Sequence, residues 1–145
     1  MANITNFLST QVKTGLGGQM VMASNRIDYS EVNTAASDTV SLLTIPANAL
    51  VTDFRINVRT VEDSTLTADF GILVTDPNGF DGTRNMETVG WSKTDSQVGV
   101  ADAYAFGYQA STDTIISATH SANAADTCIY DVFAIYALPE TVNIT

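Results

Sequence analysis

The chain has 145 residues, sixteen Asp+Glu against six Lys+Arg, and a net charge of −10. A hydrophobic share of 45% against 15% charged argues against disorder, and the length suits one domain with a real core. Scattered cations on an acidic chain argue against a phosphate-backbone partner, no apolar run nears the ~20 residues that span a bilayer, and a lone cysteine rules out an internal disulfide.

The opening "MANITNFLSTQVKTGLGG" is polar, ends in glycines and lacks both alternation and an apolar signal-peptide core. Residues 1–17 therefore read as an N-terminal arm. Synthesis and use in the cytoplasm, or release by lysis, is the expectation, and the two "NIT" sequons read as unmodified. A first strand lies in "QMVMASNRIDYSE", and "DTVSLLTIPANAL" is a strand that stops at Ile45, because Pro46 has no N–H for a ladder. In "TDFRINVRT", Phe54, Ile56 and Val58 share one face, while Asp53, Arg55, Asn57 and Arg59 share the other. In "LTADFGILVT", Leu66, Ala68, Phe70, Ile72 and Val74 share a face. The link "VEDST" has hairpin composition, which would bring Arg59 and Asp69 onto neighbouring outer faces.

The run "DPNGFDG" follows. Asp76, Asn78 and Glu87 stand at places 1, 3 and 12 of a calcium loop, but Phe80 and Asp81 occupy places 5 and 6, where a ligand and glycine belong. A cation site outside that pattern would use Asp76, Asn78 and Asp81. The simpler reading is a tight turn ending the preceding strand, with Phe80 tucked inward or against a neighbour. "METVGWSKT" and "AYAFGYQAS" are aromatic strands. "DTIISATH" and "DTCIYDVFAIYAL" are the strongest late strands, read as a hairpin across "SANAAD". The last strand is apolar on both faces, as a central or covered strand is. About eight short strands at ~10-residue spacing give an all-β, single-domain antiparallel sandwich, jelly-roll-like, over 18–139, with a tail at 140–145.

Catalytic patterns fail. His120 and Cys128 would share a face only in one of two hairpin registers, and no third group or oxyanion loop accompanies them. "GLGG" lacks the lysine of a phosphate loop. No cofactor is implied, and no enzyme is expected. The aromatic surplus instead suggests contact with another chain, through Phe80, Trp91, Tyr104, Phe106, Tyr108, Phe133 and Tyr136.

The order "LLTIPANALVTDFRI", "TLTADFGILVTDPNGF-DG" and "YQASTDTIISATHSANAADT" resembles small virion proteins of tailed bacteriophages over about residues 38–138. The resemblance implies a capsid decoration (cement) protein on the outer head surface. Its implied partners are the major capsid protein and its own copies, as a homotrimer, with no nucleic acid or membrane. A tail- or fibre-associated receptor- or glycan-binding module is the alternative.

Overall fold

A computed structural model describes residues 2–16, 20–73, 75–93, 107–121 and 124–138. Eleven strands are present among them: β1 (Asn3–Ile4), β2 (Val12–Leu16), β3 (Met20–Asp28), β4 (Thr39–Ile45), β5 (Leu50–Thr60), β6 (Thr67–Ile72), β7 (Asp76–Asn85), β8 (Gly90–Lys93), β9 (Tyr108–Gln109), β10 (Thr114–His120) and β11 (Ile129–Ala137). One sheet has the order β1-β4-β10-β6-β7 and the other β2-β3-β11-β5-β8, with β9 also on β5. Without β1, β2 and β9, eight strands remain, in two four-stranded sheets ordered β4-β10-β6-β7 and β3-β11-β5-β8. That is the double-Greek-key jelly roll.

The alternation read from the sequence sets the faces. Phe54, Ile56 and Val58 are fully buried, as are Leu66 and Phe70, while Arg55 and Arg59 point to solvent. On β11, Tyr130, Val132, Ala134 and Tyr136 enter the core and the intervening residues are half-exposed. β11 lies between β3 and β5, the central place in its sheet expected of a strand apolar on both faces.

Both expected hairpins are corrected. β5 and β6 lie in different sheets, and so do β10 and β11. The link "VEDST" carries the chain across the sandwich, for which a short polar turn serves equally well. Arg59 therefore meets Asp131 on its own sheet (3.5 Å), and the Asp69 carboxylate accepts the Thr83 N–H (2.7 Å).

"DPNGFDG" belongs to strand β7 rather than to the turn before it. The chain reverses just after Ile72, where Thr75 N–H donates to Ile72 O (3.1 Å). Ile72 pairs with Asp76 and Phe70 with Asp81, so β7 passes five residues where β6 passes two. The excess bulges over Gly71, whose absent Cβ would lie 2.2 Å from Asp76 O and 2.7 Å from Gly79 N. Glycine is required there by close backbone approach.

The expected arm is also corrected: residues 2–16 are built into the sandwich. β1 pairs in parallel with β4, and β2 pairs with β3. The 3-10 helix Asn6–Thr10 between them inserts Phe7, 4% exposed, into the core. Asn25 fixes that turn from below, donating through Nδ2 to Phe7 O (2.6 Å) and Leu42 O (2.9 Å) and accepting from Thr10 Oγ1 (2.5 Å). The sequence lacked a period here because short edge strands and a 3-10 turn leave none.

Candidate interaction surface

The outer face of the sheet β2-β3-β11-β5-β8 carries the apolar surface that the core leaves over. Outward residues on β3, β5 and β11 follow from strand alternation: Met22, Arg26 and Asp28; Asp53 and Arg55; Phe133 and Ile135. Register sets Arg55 beside Phe133 on one side and beside Lys93 on the other. Trp91 on the edge strand β8 is 61% exposed and its ring lies 5.4 Å from that of Phe133, tilted by 35°. Met22, Asp53, Arg55, Trp91, Phe133 and Ile135 line a groove of ≈ 470 Å³. Phe133 also walls a second, more polar groove of ≈ 390 Å³ towards Val12 and Arg26, and so forms the ridge between the two.

Charge on this face is balanced. Arg26 forms a two-pronged pair with Asp131 (2.8 and 3.1 Å), Arg59 reaches the same carboxylate, and Arg55 pairs with Asp53 (2.9 Å). Among the described side chains, Asp28 completes three acids against three arginines. On a chain of net charge −10 the excess acid therefore lies elsewhere. An acidic partner meets less repulsion here than over the rest of the surface. The exposed pairs contribute ~0–1 kcal/mol each to stability. Their consequence is for what can approach.

The other expected contact residues divide. Phe80 and Tyr136 are 1% and 3% exposed. Phe80 stacks in the core against Phe54 at 5.0 Å and Tyr108 at 6.1 Å, and Tyr108 is itself partly buried against the core. A side chain spent on its own core has no surface left for a neighbour. Tyr104 and Phe106 lie outside the described residues. Met22, which the sequence reading left out, joins the groove; its place opposite Ile135 in the β3–β11 ladder was the missing information.

Of the cation candidates, Asp76 and Asp81 are half-buried at the two ends of the Gly71 bulge, and Asn78 is exposed on it. Three acid groups converge at a different place among the described residues: Glu62, Asp63 and Asp126. The Glu62 carboxylate there already accepts the N–H groups of Asp126, Thr127 and Cys128 and the Thr127 hydroxyl. Burial alone would raise its pKa, but these donors hold the carboxyl below its usual range. It fixes the start of β11.

His120 and Cys128 both sit in this end of the sandwich, but neither forms a nucleophile–base pair. His120 hydrogen-bonds Tyr29 and Thr34 through its two ring nitrogens. Burial first, then the nearby Glu62 carboxylate, pushes the Cys128 thiol up to about 12, so it is a protonated core group.

No family model and no curated protein matches the chain. Solved structures do. A chain from the capsid of Ralstonia phage GP4 superposes with a TM-score of 0.68 at 17% identity, over 96% of this chain and 99% of that one. A chain of the acidic stable capsid structure of Helicobacter pylori bacteriophage KHP30 gives 0.59 at 13% identity, over 90% and 95%. One from the cyanophage Pam1 capsid asymmetric unit gives 0.57 at 13% identity, over 88% and 92%. At such identities the likeness is one of fold, and it runs nearly end to end in both partners.

Proposed function

We propose that the protein is a structural component of a bacteriophage head. It would act as a decoration protein that binds the outer capsid surface and bridges major capsid subunits, without catalysis. The observation that carries this reading is the whole-length likeness to three chains of phage capsids.

The chemistry of the molecule supports the same reading. Its prominent surface feature is a charge-balanced sheet face with an aromatic ridge, and groups of that kind bury well against a protein. Trp91 and Phe133 are the anchors in this account, and the paired arginines form the rim. A homotrimer with this face turned toward its neighbours would remove the aromatic ridge from water around one axis. Assembly would occur in the host cytoplasm.

Incorporation into particles tests the proposal. Purified heads are mixed with wild-type protein or Trp91→Glu, and bound protein is quantified after sedimentation. Wild-type protein should co-sediment at a fixed ratio to the major capsid protein, and the variant should be lost. Protein found only on tails would favour a receptor- or glycan-binding role and would defeat the head assignment.

A further inference from the structure

The two sheets are joined at one end by a chain of side-chain hydrogen bonds that runs through His120. Tyr29 follows β3 and Tyr130 lies on β11, in one sheet, whereas His120 ends β10 in the other. Tyr130 Oη is 2.6 Å from Tyr29 Oη, and Tyr29 Oη is 2.6 Å from His120 Nε2. On the far side of the ring, Nδ1 is 3.2 Å from Thr34 Oγ1. The Thr34 hydroxyl reaches Ala125 O (3.3 Å) and accepts the Ala125 N–H (3.1 Å). Tyr29 and Tyr130 are fully buried, and His120 is 4% exposed.

Only one assignment of hydrogens gives every donor an acceptor. Tyr130 donates to Tyr29, and Tyr29 to Nε2. Nδ1–H donates to Thr34, and Thr34 to Ala125 O. The imidazole is then neutral with its hydrogen on Nδ1. A hydrogen on Nε2 would reverse the first two bonds: Nε2–H would donate to Tyr29, and Tyr29 to Tyr130. The Tyr130 hydroxyl hydrogen would then have no acceptor among the described residues, in a site without water access. An unpaired buried donor is costly, and more so in a low local dielectric.

We propose that His120 is an acid-sensitive lock: neutral, it completes a one-directional hydrogen-bond chain between the sheets, and protonation breaks that chain and loosens this end of the sandwich. The groups facing the ring from each packed element fit this assignment. Tyr29, from the end of β3, packs edge-on against the ring at 4.9 Å, with Tyr130 of β11 and Cys128 just before it lying against Tyr29. Asp38 comes from the β3–β4 connection and Glu62 from the β5–β6 connection. Asp38 and Glu62 would favour a charged ring, but both carboxylates are already engaged by backbone N–H groups, Asp38 by those of Ala2 and Ala35. Burial outweighs their pull and brings the imidazole down to about 4.

The chain holds one histidine, so its ring signals are unambiguous. Nitrogen-15 NMR of the histidine-labelled protein should show the Nδ1–H tautomer at pH 7.5. At pH 5 the folded protein should have under about a tenth of its imidazole charged, where an unperturbed ring is almost fully charged. Protection of the His120 and Ala125 amides against exchange, taken relative to the intrinsic rate at each pH, should diminish below pH 5. In His120→Gln the fall in thermal midpoint between pH 6.5 and 4 should shrink by at least half. An Nε2–H tautomer, ordinary titration near 6.5 in the folded state, or an unchanged slope in the variant would each overturn the proposal. The NMR readout decides it even if the variant does not fold.

Discussion

Replacing Phe7 by alanine tests whether the N-terminal segment is part of the fold. Phe7 is 4% exposed and packs edge-on against Tyr29 at a ring distance of 6.5 Å. Its carbonyl accepts from Asn25 and Thr10, so the turn that presents the ring is held by backbone contacts that survive the substitution. The loss is therefore that of a buried aromatic side chain with little collapse around it, about 3–5 kcal/mol. At ~3 °C per kcal/mol for a domain of this size, the thermal midpoint should drop by about 9–15 °C. Urea unfolding followed by tryptophan fluorescence should show a lower midpoint with an unchanged slope. Val12→Ala, in the same segment but 57% exposed, should change stability by less than ~0.5 kcal/mol and serves as the control. A Phe7→Ala effect below ~1 kcal/mol would mean that the segment hangs free of the sandwich, as a docking arm would.

Gly71→Ala should prevent folding or cost more than ~3 kcal/mol, because backbone atoms of Asp76, Pro77 and Gly79 stand within 2.7 Å of the new Cβ; a soluble variant with a near-native midpoint would mean the β7 bulge is not as described. Trp91→Ala should leave the midpoint within about 3 °C while weakening association with heads, since the ring is 61% exposed; equal loss of both would make Trp91 a stability residue. Acidification should cost stability in a defined window. His120 is charged at 6.5 when unfolded but only near 4 when folded, so the unfolded state binds the extra proton. Stability is then full above pH 6.5, falls by about 3 kcal/mol on going down to pH 4, and loses little more through this group below that. Glu62 and Asp38, both held low by backbone N–H donors, extend the loss below the usual carboxylate range, as guanidinium titrations at pH 3 and 5 would show. Native Cys128 should resist thiol reagents at pH 8 for as long as the fold holds, and rapid reaction would contradict its burial.

The sequence carried the faces of the strands better than their partners. Period-2 alternation placed Phe54, Ile56 and Val58 inward and the arginines outward, since side-chain period is a local property of the strand. It could not say that β5 and β6, or β10 and β11, lie in different sheets, because a turn's composition is set by backbone geometry and not by where the next strand docks. "DPNGFDG" misled in a similar way: Pro, Asn and Gly mark departures from regular backbone, and a strand bulge over Gly71 needs the same residues as a turn. The doubly apolar β11 read as central or covered; it is central in its sheet, and its outer residues are half-exposed. Trp91 and Phe133 were legible as aromatic surplus, but their meeting depends on β8 joining the edge of β5, a contact between residues far apart in the chain. The Tyr130–Tyr29–His120 chain left no trace in the sequence at all, because it draws single residues from three separated segments.

Electron microscopy of phage particles carrying this protein, at a resolution that places side chains, decides whether it is a head component as proposed. A jelly-roll density is expected on the outside of the head shell, with the Trp91 and Phe133 ridge buried against a neighbouring subunit. Heads without this chain, or a copy whose β2-β3-β11-β5-β8 face stands open to solvent, would contradict it.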